Sequence, residues 1–279
     1  MAQRVIAVTG ANRGMGLALV KKLAAGEKGV SHVVLCSRDM KKGLEARDSL
    51  GKVKAEVDVV ELDMDSEESM DQFCLGVKEK YGKLHGLLNN AAINIKDPKY
   101  PKDLLFQKTA KTNLFGPVWL SEELIQKDLI ERNGKILSTS WTMALSKFII
   151  DEKLNKILGE INSCNGFDSA YNYILENLKE GNHQKLFRDK APIPEYMSLK
   201  LLLSKYCKIL SQDDNILKRD IFVASVCPGW CKTEMGGSNA PNTVESGAEV
   251  SYELFTQDLS AKSPLQGQLV QRGGKGKSV

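Results

Sequence analysis

Short β-rich runs that alternate with longer helical periodicities constrain this chain more than any other feature of its sequence. The strand candidates are VIAVT (5–9), HVVLCS (32–37), VDVVEL (57–62), LHGLLN (84–89), KILSTS (135–140) and IFVASV (221–226). Several are apolar on both faces, as strands covered by helices on either side must be. Between them Met15, Leu19 and Leu23 fall four apart, and Met70, Phe73, Val77 and Tyr81 step by three or four, which is helical spacing. Asp65 with Glu68 three residues on reads as a capping box that starts the helix after the third strand. The pattern predicts an α/β fold: a doubly wound, mostly parallel sheet with helices on both faces. One stretch, 142–194, breaks the alternation with helical patches such as EKLNKILGEI and YNYILENLKE and no convincing strand. It reads as a helical insertion within one domain spanning 1–279, since no linker, repeat or composition shift marks a second.

Charge and apolar content narrow the function classes. Thirty-nine basic residues against 35 acidic ones give +4, interspersed along the chain, so a nucleic-acid footprint is not expected. The longest apolar run, Met15 to Val20 with Gly counted, has six residues, whereas a bilayer span needs about 20. The N-terminal MAQRVIAVTG has too short an apolar stretch for a secretory signal, which predicts a cytoplasmic protein without membrane attachment. The basic C-terminus, RGGKGKSV (272–279), reads as a frayed tail. Six cysteines (Cys36, Cys74, Cys164, Cys207, Cys227, Cys231) form no Cys-x-x-Cys pair and the three histidines, His32, His85 and His183, are far apart, so neither a metal site nor a disulfide framework is indicated.

The chemistry begins where the first strand runs into TGANRGMG. Gly10, Gly14 and Gly16 fall in the turn that opens a helix, where glycines allow close approach to a pyrophosphate and free N–H groups favour its charge. The spacing is Gly-x-x-x-Gly-x-Gly, an approximation to the general dinucleotide fingerprint. The acidic residue that holds an NAD ribose is absent about 20 residues on; the neighbourhood reads Cys36, Ser37, Arg38. Arg38, with Arg13 inside the glycine turn, suits a 2′-phosphate, which favours NADPH over NADH; the alternative is two solvated surface charges. Of the seven tyrosines only Tyr196 has Lys four residues on, Lys200, which places both side chains on one helix face. A cation there would lower the phenol pKa and make Tyr a proton donor to a developing alkoxide, although such a pair is also common on helix surfaces.

Together these residues resemble the short-chain dehydrogenase/reductase family across nearly the whole chain, which implies a Rossmann-type fold. Asp63, with Met64 beside it after strand three, matches the adenine-binding position. NNAA at 89–92, with Asn90, Ala91 and Ala92, matches Asn-Asn-Ala-Gly, and Asn113 in TNLFG matches the family's helix Asn. The resemblance implies that Tyr196 is the acid, that Lys200 holds the ribose and depresses the Tyr pKa, and that Asn113 supports a proton-relay water. It places Gly10, Asn12, Arg13, Gly14, Met15, Gly16 and Arg38 on the coenzyme, and Pro228, Gly229, Trp230 and Thr233 around the nicotinamide, with Trp230 also facing substrate. The long gap between Ser140 and Tyr196, with KTNLFG, CPGW and NHQK, resembles the carbonyl reductase branch, whose insertion covers an oligomerisation surface and so implies a monomer.

Two positions depart from the family pattern. Ala92 replaces a Gly near the coenzyme. More consequentially, GKILSTSW at 134–141 aligns Ser140 with the first and Trp141 with the second, catalytic Ser of Gly-Arg-x-Val-Asn-x-Ser-Ser. An indole N–H donates only and is bulky; losing such a hydroxyl donor typically costs about 2.7–4 kcal/mol. Ser140 takes over through a one-residue shift at the strand end, Trp141 on the substrate side donates its N–H, or carbonyl reduction is abandoned; the plain alternative for Trp141 is a packing residue beneath the insertion. The expected function is therefore NADPH-dependent reduction of a small-molecule carbonyl (aldehyde, ketone or quinone), with an NADPH-binding sensor or scaffold of little turnover as the alternative.

Overall fold

The computed structural model describes residues 4–95, 99–142, 148–161, 167–188 and 193–278. Eight strands among these form one sheet in the order β3-β2-β1-β4-β5-β6-β7-β8. They are β1 (Val5–Val8), β2 (His32–Ser37), β3 (Glu56–Glu61), β4 (Leu84–Asn89), β5 (Ile130–Thr139), β6 (Phe222–Cys227), β7 (Leu269–Gln271) and β8 (Lys275–Lys277). Every pairing is parallel except β7 with β8.

Successive strand residues feed opposite layers, which is why β1, β2, β4 and β6 are largely apolar along their length, whereas the outer β3 carries Glu56, Asp58 and Glu61 and is only partly buried. Ile6, Val8, Val33 and Leu35 join the layer under α1 (Gly14–Ala24), α2 (Met40–Asp48) and the helix Val244–Thr256. Val5, Ala7, Val34 and Cys36 join the layer under α3 (Glu67–Lys80), α5 (Gly116–Gln126) and α8 (Pro194–Leu210). The doubly wound Rossmann-type expectation is met. The strand order reverses between β1 and β4, and the crevice at the carboxyl ends of these strands is the position where such sheets take ligands.

Three expectations are corrected, and two short strands are added to those read from the sequence. The helix after β3 is capped by Ser66, whose side chain accepts the Ser69 N–H, because Asp65 instead accepts the Thr112 hydroxyl. β5 starts at Ile130 rather than 135: Asn133 adopts φ 59 and the register shifts between Leu84 and Gly86, so an irregular stretch precedes the regular ladder. Two three-residue strands, β7 and β8, lack the length to declare themselves in the sequence. The segment expected to fray contributes one of them, since Gly273 and Gly274 at φ 83 and 70 make the turn that folds Lys275–Lys277 back on Leu269–Gln271.

Within the insertion, α6 (Glu152–Glu160) and α7 (Phe167–Lys179) send Leu154, Leu158, Phe167, Ile174 and Leu178 into the α3/α5/α8 layer. Tyr171 of α7 stacks on Phe106 of α4 (Lys102–Ala110) at 5.2 Å and meets Phe115 edge-on at 5.0 Å. The insertion is a packed cover over α4 and α8; parts of it, with Cys164, lie outside the described residues. The five described cysteines are free and buried. Among the described residues no group of side chains could hold a metal ion, and no helix is long and apolar enough to cross a membrane.

Candidate active site

The glycine turn and the NNAA segment are one hydrogen-bonded unit. The Thr9 hydroxyl accepts the N–H groups of Asn90 and Ala91, both at 3.0 Å, and the Asn90 amide donates to the carbonyls of Thr9 and Gly10 at 2.9 and 3.2 Å. This closeness explains the glycines. A Cβ on Gly10, which has φ +60, would lie 2.7 Å from the Ala91 Cα; one on Gly16 would lie 2.7 Å from both the Asn90 amide nitrogen and the Gly10 carbonyl. Ala92, where a Gly was expected, has no left-handed backbone, so its methyl brings no conformational strain. The start of α1, with Asn12 and Arg13 before it and Met15 in its first turn, has no side-chain cap and no acidic residue in that turn, leaving N–H groups for an anion. This cradle fits a pyrophosphate.

Arg13 and Arg38 share one rim. The Ala11 N–H donates to the Cys36 carbonyl at 2.9 Å, and each arginine lies two residues beyond that bond. Both are exposed; Arg38 has no ion-pair partner among the described residues, whereas Arg13 is paired with Glu234. Asp63 is fixed beyond β3 by its N–H to the Ser69 hydroxyl at 2.9 Å and by its carboxylate, which accepts the Asp65 N–H at 3.0 Å; Met64 beside it is buried.

The other side of the crevice is built by α8, the end of β5 and the segment after β6. Tyr196 and Lys200 project from the same face of α8, with the Lys200 ammonium 5.6 Å from the Tyr196 ring centre. Lys200 is 1% exposed and donates to the Thr139 carbonyl at 2.7 Å. Trp141 packs its ring 6.2 Å from that of Tyr196. Asn113 is buried in a π-helical turn, Lys111–Phe115, and both ends of its amide hold the backbone of Ile93 at 2.8 Å, steadying the strand exit that carries NNAA. Pro228, with Met15, Asn90, Thr139 and Val226, lines a small cavity that links the glycine turn to the ends of β5 and β6. Gly229 has φ +79, Trp230 is exposed and donates to the Gly236 carbonyl, and the Thr233 methyl group lies 3.4 Å from where a Gly14 Cβ would be.

A family model for short chain dehydrogenase matches residues 4–150. Carbonyl reductase [NADPH] 1 of Rattus norvegicus is 31% identical over 273 residues, covering 96% of this chain and 95% of its own. Carbonyl reductase [NADPH] 3 of Homo sapiens is 32% identical over 272 residues with the same coverage. The chain belongs to the short-chain dehydrogenase family. Among solved structures of this family's fold, salutaridine reductase from Papaver somniferum superposes with a TM-score of 0.81 at 25% identity, covering 96% of this chain and 99% of its own. An NADPH-bound carbonyl reductase from chicken fatty liver shares the fold with a TM-score of 0.70 at 22% identity over the full length of both chains.

Against the dehydrogenase pattern, two expectations about the reactive groups meet a different arrangement. The Ser140 hydroxyl is 4% exposed and spent on α8: it donates to the Lys200 carbonyl at 2.9 Å and shares a 2.6 Å bond with the Ser204 hydroxyl. The β-strand alternation holds to the last residue, with no bulge to turn Ser140 outward. The Tyr196 phenol also sits above its ordinary range rather than below it. Burial pushes the Tyr196 pKa up, and the nearby Cys227 thiol pushes it further. Burial lowers Lys200 to about 8, so the ammonium that was to act on the phenol is itself weakened, and its described bond is to Thr139.

Two neighbours of this site were not singled out by sequence reasoning. Cys227, at the end of β6, accepts the Thr142 N–H at 3.3 Å, and its thiol faces the Thr142 hydroxyl at 3.7 Å. Thr142 follows Trp141 directly, so a hydroxyl one residue beyond the family's serine position was the signal available.

Proposed function

We propose that this dehydrogenase reduces aldehydes, ketones or quinones with NADPH, using Tyr196 as the proton donor. The observation that carries the reading is the Tyr196–Lys200 pair on one face of α8, beside the crevice whose other wall is the glycine turn. NADP(H) is the coenzyme that the cradle fits: Gly10, Gly14 and Gly16 leave room for a pyrophosphate, Arg13 and Arg38 supply cations for a 2′-phosphate, and Asp63 with Met64 lies at the adenine end. Asn90, Ala91 and Ala92 continue the wall of the glycine turn, to which Asn90 and Ala91 are hydrogen-bonded, and Pro228, Gly229, Trp230 and Thr233 close the cleft from β6.

Bound NADPH supplies the hydride to the carbonyl carbon. Tyr196 keeps its proton at neutral pH because burial disfavours the phenolate, and no described group accepts from its hydroxyl, so the proton is available to a carbonyl oxygen. Lys200, about 8 and therefore mostly charged at pH 7, favours the phenolate left behind and orients the ribose. Asn113 holds the backbone of Ile93, and with it the exit of β4; its wide π turn is the place for a relay water. Trp141 and Trp230 supply the apolar substrate wall, and Ser140 serves chiefly by fixing α8. The insertion over α4 and α8 supports a monomer, and five free, buried thiols support a reducing, cytoplasmic setting.

A second reading, coenzyme binding with little turnover, is favoured by one observation. Trp141 fills the serine position and the neighbouring Ser140 hydroxyl is engaged with α8. Tyr196→Phe, assayed with NADPH fluorescence titration and a carbonyl panel, separates them. Reduction predicts retained binding and a loss of at least a hundredfold in kcat; wild-type binding without turnover favours the second reading, and unchanged NADPH consumption in the variant overturns the first.

A further inference from the structure

Glu234 is an exposed carboxylate paired with Arg13, and the two are joined across the mouth of the cleft from opposite walls, 221 residues apart in sequence. Its position is not incidental to a loose loop. The Lys232 N–H donates to the Asn242 carbonyl at 2.8 Å, the Asn242 amide donates to the Trp230 carbonyl at 3.0 Å, and the Gly236 N–H donates to the Thr233 hydroxyl at 2.9 Å. This braced segment seats the Thr233 methyl against Gly14 and presents Glu234 to the guanidinium at the start of α1. Arg38, the other cation on that rim, has no ion-pair partner among the described residues.

From this we infer that Glu234 is a coenzyme-affinity determinant: it competes, as an internal anion, with the 2′-phosphate for Arg13. The inference rests on the assignment of Arg13 to the 2′-phosphate. The chemistry is an exchange of anions on one guanidinium. A 2′-phosphate carries more charge than a carboxylate, so it displaces Glu234, and the carboxylate is then left near a like charge. The pair is solvent-exposed, with side-chain exposures of 66% and 75%, so the penalty it imposes is small, about two- to fivefold in affinity. NADH, lacking the phosphate, does not contest the pair and should not feel it.

The experiment measures NADPH and NADH dissociation constants by calorimetry for the wild type, Glu234→Gln, Arg13→Gln and the double variant. Expected are a two- to fivefold tighter NADPH constant in Glu234→Gln, an NADH constant unchanged within about 1.5-fold, and no gain from Glu234→Gln in the Arg13→Gln background; 0.5 M salt should shrink the gain. Weaker or unchanged NADPH binding in Glu234→Gln, or an equal gain for NADH, overturns the inference. Should Arg13→Gln fail to weaken NADPH relative to NADH, the phosphate assignment itself fails and the inference with it. A weakened Arg13→Gln with a silent Glu234→Gln removes the inference alone.

Discussion

Replacing Ser140 with Ala separates a catalytic hydroxyl from a structural one. The hydroxyl bridges β5 to α8, donating to the Lys200 carbonyl at 2.9 Å and sharing a 2.6 Å bond with Ser204, which is fully buried and has no other described partner. Leaving a buried hydroxyl unpaired costs about 1–3 kcal/mol. The lower half of that range is expected, because Ser204 can turn its proton to the Lys200 carbonyl four residues back in the same helix. Urea unfolding should therefore show a lower midpoint at unchanged slope, about 1–2 kcal/mol less stable. The double variant Ser140→Ala/Ser204→Ala should be less destabilised than the sum of the single ones, since both partners of the bond are then gone. Turnover should fall by less than about tenfold, against the hundred- to thousandfold expected where a donor to the reacting oxygen is lost. A hundredfold fall in kcat with stability and NADPH affinity intact would refute the placement and make Ser140 the family's serine in function.

Trp141→Ser should raise kcat by tenfold or more in the same carbonyl panel, because it restores a hydroxyl beside Tyr196; a fall would show that the indole takes part. Gly16→Ala should abolish NADPH binding measured by fluorescence and cost about 1–3 kcal/mol in urea, since its Cβ would lie 2.7 Å from both the Gly10 carbonyl and the Asn90 amide nitrogen. His85 gives a pH prediction. Burial lowers its pKa, and its Nδ1 accepts the Val5 N–H at 3.3 Å, so the folded protein holds it neutral while the unfolded chain takes a proton below about 6.5. Stability from this group is complete above about 6.5 and is lost as pH falls through the folded-state pKa. His85→Gln should flatten that part of the pH dependence of the urea midpoint, and an unchanged slope would refute the assignment.

The central sheet was legible because β1, β2, β4 and β6 are buried on both faces and announce themselves as apolar runs between helical periodicities, and β3 shows its Val57, Val59 and Val60. The edge was not: β7 and β8 have three residues each, and their pairing depends on a Gly273–Gly274 turn inside what reads as a soft basic tail. The coenzyme side of the site was legible for a related reason. The need for glycine at positions 10 and 16 is set by backbone approach, which constrains residue type directly. Tyr196 and Lys200 were visible as an i, i+4 pair, but the direction of their pKa shifts was not, since it follows from how deeply α8 is buried by β5, β6 and the insertion. The fate of Ser140 was equally hidden, as its partners lie 60 and 64 residues away.

The position of Trp141 differs in kind. Trp141 stands at the point where the chain leaves β5 for the insertion, and its ring meets both Tyr196 and the hydrophobic layer that α6 and α7 complete. A bulky side chain there is tolerated because the insertion offers apolar surface on which to pack it, and the α8 bonds of Ser140 free position 141 from holding the helix in place. Exchange of the hydroxyl for an indole therefore changes the wall of the pocket without loosening the Tyr196 helix. On this ground the protein should keep its coenzyme affinity across variants at 141 while its turnover varies with the size and polarity of the residue placed there. A coupled loss of both would mean that Trp141 braces the fold and that the two halves of the site are not separable.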